Sequence, residues 1–283
     1  MMPAMYAAVS GLEAHQTMLN VVANNLANVD TVGYKAARTT FVDELSETLN
    51  AGSGATAGSG GTNPMQFGLG VRVGSSDNEM GAGSQETTGN PLDVAISGQG
   101  MLTVGNGTPP ASSPYTSGLP STLEYTRAGN LTTNALGFLT TSSGQYVMGS
   151  TAAGSGAPST FINIPPGSTN VSIGQDGSVT YTNPSTQATA TAGYITLATF
   201  PNEAGLTREG SSLWATSTNS GAATYGTPNT GNFGQTLSGS LEMSNVDMAT
   251  EFTNMIEAQS GYEANSRVIT TGNSMIQNLL QIQ

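Results

Sequence analysis

Residues 21–35 read VVANNLANVDTVGYK. Val22, Leu26 and Val29 keep the spacing of one helical face, yet Asn24, Asn25 and Asn28 stand among them. Asparagine is a poor helix former because its amide competes for nearby backbone groups. Traced towards the N-terminus, the stripe continues through Leu19, His15, Leu12, Ala8 and Met5 in alternating steps of three and four residues, with His15 its one polar member. That is the seam of a helix that packs against other helices. Asp30–Gly33 ends it, with Gly33 free to take a left-handed turn. The spacing predicts a helix over about residues 4–30. Its amides have two readings: caps of a fraying end, or partners across helices that fix one register.

The C-terminus repeats the pattern. Met248, Met255, Tyr262, Ile269 and Ile276 recur every seven residues, joined by Phe252, Ile256 and Leu280, with Gln259, Ser266 and Asn273 as polar seam positions. Ser244, Asn245 and Asp247 are N-cap candidates, and a helix is expected over 247–281. The middle has no such stripe. Met65–Val73 alternates as one half-buried strand, and Leu92–Ile96 and Met101–Val104 flank Gly98–Gly100 as a hairpin. Turn signals at Asn134–Gly137 and Gln175–Gly177 separate further short strands, and 51–62 (AGSGATAGSGGT) reads as a flexible link. The expected fold is mixed α and β: terminal helices pairing as a coiled-coil-like domain, with an antiparallel all-β domain between them.

Composition narrows the function. Charged residues are 8% of the chain, against about 25% in an ordinary domain. Net charge is −12 with six Lys and Arg in 283 residues, which leaves no basic cluster for nucleic acid or for an anionic membrane. No apolar run approaches the ~20 residues of a bilayer span, so membrane insertion is not expected. The absence of cysteine excludes disulfides, thiol catalysis and a Cys-based zinc site. MMPAMYAAVSGLEAHQT lacks the basic n-region of a secretory signal, so export would use a route that removes none. The single histidine, His15, lies on the helical seam and no GxSxG elbow occurs, so no catalytic, cofactor or metal site is expected. Asp43, Glu44 and Glu47 read as a solvated face, and Trp214 as a core or edge residue of the β domain, with a sugar-binding platform as its other reading.

Asn24–Lys35 resembles the N-terminal signature of bacterial flagellar rod and hook proteins, and Ala8–Leu12 fits the same pattern. Thr88–Ile96 with Gly98–Gly100, and Tyr125–Leu131, resemble the family's internal motifs; Glu242–Asp247 and Glu251–Ile256 resemble its C-terminal ones. The resemblance implies an inner helical tube domain from 1–33 and 245–283 around an export channel, a connecting segment from 34–75 and 226–244, and an outer β domain from 76–225. It implies a homopolymer, with assembly residues Met5, Leu12, His15, Leu19, Val22, Asn24, Asn25, Leu26, Asn28, Val29, Gly33 and Tyr34 on the N-terminal side. On the C-terminal side they are Met248, Phe252, Met255, Tyr262, Ile269, Ile276 and Leu280. The partners implied are the flagellar export apparatus and the rod, hook-cap and hook–filament junction proteins. Met1–Met2 near Ala7–Ser10, Ala14–Leu19, Asn63–Val71 and Glu251–Ile256 look more like short hook proteins. The sequence reading therefore favours the hook, outside the cell envelope, over the distal rod. A β-rich surface adhesin is the remote alternative; it would have no need of matched terminal helices.

Overall fold

The computed structural model describes residues 2–54, 58, 60–110, 115–154 and 156–281. It has two long helices, α1 (Met2–Ala27) and α2 (Met248–Gln281), with short antiparallel strands between them. The chain divides into two compact units: 1–27, 37–77 and 247–283 form unit 1, and 28–36 with 78–246 form unit 2. Residues 37–77 thus group with the helices, whereas 226–244 belong to the β unit.

In unit 1 the helices run antiparallel, as the approaches of Met5 to Gly272, Gly11 to Asn265 and His15 to Gly261 show. The seam is rotated from the large-apolar stripe that the sequence suggests. Its buried row on α1 is Ala8, Gly11, Ala14, Val22 and Asn25, and on α2 it is Glu251 and Ala258. Small residues win these positions because they let two helix backbones come close: a Cβ on Gly261 would lie 2.5 Å from the His15 ring. Met5, Leu12, Leu19 and Leu26 are half-buried at the flank, and Phe252 and Ile256 stand exposed. α1 ends three residues earlier than expected, at Ala27, where Thr31 closes a turn onto the Asn28 carbonyl. α2 starts beside Asp247, whose carboxylate accepts from the Ala249 N–H and the Thr250 hydroxyl. Those bonds, the Thr250 one foremost, hold the Asp247 carboxyl below its ordinary range, and they satisfy donors that a helix start leaves open.

The single strand expected over Met65–Val73 is two, Met65–Gly68 and Val71–Asn78. The break falls at Gly70, where a Cβ would sit 2.2 Å from the Ser10 hydroxyl of α1; that hydroxyl instead accepts from the Val71 N–H. Met65–Gly68 pairs with Ser46–Asn50, and a bridge between Ser53 and Thr62 closes the loop ends. Of the expected link at 51–62, residues 55–57 and 59 lie outside the described residues.

Unit 2 centres on a 13-stranded antiparallel sheet. The turn at Gln175–Gly177 joins Thr169–Ile173 to Ser178–Thr182, as expected, and Leu131–Thr133 pairs with Leu139–Thr141 around the other turn signal. The hairpin expected across Gly98–Gly100 does not form. Val94–Ser97 pairs with Gln235–Ser238, whereas Met101–Gly105 enters the large sheet beside Glu124–Thr126 and Tyr146–Ser150. Val94, Ile96, Leu102, Val104, Leu139 and Ile195 belong to one core, and Trp214 packs in a second with Met101, Tyr125 and Phe200.

Candidate assembly surface and its buried anchor

The residues that the sequence marks for assembly separate into three groups. Met248, Phe252, Tyr262 and Leu280 are exposed on α2, and Ile256, Val268, Met275 and Leu279 join them. Met5, Leu12, Leu19, Leu26, Asn28 and Val29, with Met255, Ile269 and Ile276 on α2, are half-buried. Val22, Asn25, Gly33 and Tyr34 are buried within the single chain. Asn24 is exposed. His15 is half-buried and packs edge-on against Phe41 at 5.7 Å.

The interior asparagine has a definite task. The Asn25 amide donates to the Ala37 carbonyl at 2.8 Å, accepts from the Ala37 N–H at 3.0 Å and donates to Glu251 at 2.9 Å. It fastens α1, α2 and the first strand residue within unit 1, so this amide bridges elements of one chain. Asn245 does the same in unit 2, accepting from the Ala36 N–H and donating to the Glu79 and Gly81 carbonyls.

Gly33 and Tyr34 lie in unit 2. Gly33 has φ +67°, and a Cβ there would lie 2.4 Å from the Ala128 nitrogen, so both conformation and space demand glycine. Arg208 stacks between the Tyr34 and Trp214 rings, 4.9 Å from each centroid, a favourable placement for a guanidinium. The next residue is the chain's single lysine. Lys35 donates to Glu242 at 2.5 Å and to the Gly81 carbonyl at 2.8 Å. Arg127 donates to the other Glu242 oxygen at 3.0 Å and to the Gly98 carbonyl at 2.9 Å. The Gly83 N–H adds a third donor to Glu242. Lys35 and Glu242 are 1% exposed and Arg127 5%, so the triad is desolvated.

The sequence reading missed this triad. Its signal was slight: in a chain with few charges, one charged residue of the triad falls in each of three family motifs. Burial pushes the Glu242 carboxyl up, but Arg127 and then Lys35 outweigh it and hold the group below the usual carboxylate range. Burial draws Lys35 below its ordinary value, against the pull of Glu242. For Glu242, a folded-state value below the unfolded one means stability that is complete above the unfolded value and is lost as pH falls through the folded one. Acid titration of the wild-type chain is therefore expected to unfold unit 2 progressively below about pH 5. Glu242→Gln should have a flatter acid limb by Trp214 fluorescence, and an identical acid limb would remove Glu242 as its source.

Two terminal helices that leave large apolar side chains exposed, with an antiparallel β-rich middle between them, define a mixed α and β class of chain. The comparisons give this class a family. The flagella basal body rod protein model matches residues 5–35, the flagellar hook protein FlgE/F/G D1 domain 95–181, and the flagellar basal body rod FlgEFG protein C-terminal model 237–282. The flagellar basal-body rod protein FlgG of Bacillus subtilis is 39% identical over the full length of both chains, and that of Caulobacter vibrioides is 35% identical, also over both in full. The flagellar hook protein FlgE of Borreliella burgdorferi is 40% identical over 46% of this chain and 26% of its own. The chain belongs to the flagellar rod and hook protein family, whose members are structural components of the flagellum. Each matched region supplies one member of the triad: Lys35, Arg127 and Glu242.

Proposed function

We propose that this chain is a distal rod subunit, polymerising into the drive shaft of the flagellar basal body around a central export channel. The observation that carries the reading is extent. The rod relatives correspond to this chain from end to end, whereas the hook relative corresponds to less than half of it. This replaces the hook preference drawn from Asn63–Val71 and Glu251–Ile256. The hook stays as the second reading, supported by the 40% identity to a hook protein within the shared segment.

In the proposed assembly, unit 1 supplies the inner tube. Leaving Phe252, Ile256, Leu279 and Leu280 in water is unfavourable, and roughly 1.5–3 kcal/mol is recovered for each large side chain that a neighbouring copy buries. Phe41, Leu45, Leu49 and Met65 extend the exposed apolar surface of unit 1 beyond the helices. Unit 2 forms the outer layer. The rod's other axial proteins, the hook above it and the export apparatus that delivers the chain are the partners this reading entails.

The test is electron microscopy of basal bodies purified from a strain lacking the gene and from the same strain complemented with it. The expected result is a rod that stops short in the deletion and is completed on complementation. A complete rod lacking only its hook would overturn the rod reading in favour of the hook.

A further inference from the structure

Residues 235–245 pair mainly with much earlier parts of unit 2. Gln235–Ser238 pairs with Val94–Ser97 and Ser240–Glu242 with Gln85–Thr87, each as an isolated two-stranded sheet. The Gly234, Gly239 and Met243 N–H groups donate to the carbonyls of Gln99, Asp93 and Ser84, and the Glu242 carbonyl accepts from the Gly33 N–H. Thr236 reaches Gly174 and Gln175. One part of the large sheet is different: Thr169–Ile173, Ser178–Thr182 and Thr189–Ile195 are consecutive in the chain and pair with one another.

We propose that residues 234–245 are a closing strap, which docks into a groove formed by 33–36, 83–99 and Arg127 and completes unit 2 by delivering the Glu242 carboxylate between two cations. Without the strap, Lys35 and Arg127 repel each other in a low-dielectric site with no anion between them, a costly arrangement. Val94, Ala95 and Ile96, each no more than 2% exposed, lose the one strand paired with them among the described residues. The backbone groups of that strand that face 235–238 are then left unpaired, which buried chain does not tolerate. With the strap in place the same two cations share one carboxylate, each on its own oxygen.

The order of arrival gives the device its use. Polypeptide is made amino-terminus first, so the groove exists long before the strap does. Unit 2 stays open until residue 245 is available, near the end of the chain. Resting on the export reading above, this keeps a partly delivered subunit from closing before it is complete.

Hydrogen exchange on the purified full-length chain tests the strap without reference to rod or hook. Local opening exposes only the amides of the segment that opens. In Glu242→Gln, the amides of 235–242 and 94–97 should exchange at least about tenfold faster, the change produced by ~1.4 kcal/mol. Those of Ser178–Thr182 and Thr189–Ile195 should change by less than about threefold. Gly239→Ala is the milder second variant. Gly239 has φ +74° and open space around its Cβ, its one neighbour being Gly89 at 3.9 Å, so an added methyl strains only the strap's corner. It should speed the same amides roughly five- to thirty-fold. If Glu242→Gln loses protection throughout, the Gly239 variant decides. Equal acceleration in strap and sheet, or none in either, would overturn the proposal.

Discussion

Replacing Glu242 by alanine is expected to destabilise unit 2 by about 3–5 kcal/mol, because it strands two desolvated cations. For a unit of this size, that lowers the unfolding midpoint by on the order of 10 °C. Trp214, the chain's single tryptophan and a member of the unit's second core, reports the transition by fluorescence. A triple replacement of Lys35, Arg127 and Glu242 by Met, Leu and Leu should recover most of the loss, since apolar side chains of similar volume carry no desolvation cost. The contrast matters more than either value. If the triad contributes mainly stability, the triple variant stays low; if it selects the pairing of distant segments, the triple variant is stable yet exchanges its strap more readily. A loss below about 1 kcal/mol for Glu242→Ala would mean that water reaches the site and screens the charges.

The second large effect belongs to unit 1. Ile256→Asp and Leu280→Asp should leave the isolated chain's stability within about 0.5 kcal/mol of wild type, since surface substitutions away from special features rarely do more. Both side chains are more than 60% exposed. The same changes should raise the concentration needed for polymerisation at least about a hundredfold, because each copy would bury a carboxylate without a partner. Denaturant unfolding of the dilute chain reads the first quantity, and sedimentation across a concentration series reads the second. Leu19 is the poorer probe, since it is half-buried within the chain itself and its loss mixes folding with assembly. Assembly at unchanged concentration in the Ile256 variant would show that this face looks into solvent or channel rather than onto a neighbouring copy.

The molecule has two kinds of buried polarity. Asn25 and Asn245 are neutral clamps, each bonding backbone and closing a junction between segments of one chain. The triad is charged and draws its members from positions 35, 127 and 242. Neutral clamps cost little to bury once bonded, whereas a charge must find its counter-charge or the segment does not settle. Three of unit 2's charges thus sit where an error in pairing would cost most.

Sequence alone determined the features that repeat within a short window. The heptad spacing at both ends fixed two long helices, Asp247 announced the start of one, and Gly33 the turn after the other. Alternation and Gly-rich turns fixed an antiparallel β region between them, and the motifs at 24–35, 88–100, 125–131 and 242–256 fixed the family. Tertiary structure decided the rest. It placed Gly11, Ala14 and Ala258 in the helix seam ahead of Leu12, Leu19 and Phe252, because close approach of two backbones needs small side chains where a hydrophobicity count asks for large ones. It gave Val94–Ser97 to Gln235–Ser238 instead of to its neighbour Met101–Gly105, since short strands of similar pattern carry no local label for their partner. It brought Lys35, Arg127 and Glu242 together, a convergence that no window of the sequence contains, because attraction between charges acts through space and is set only when the chain has folded around them.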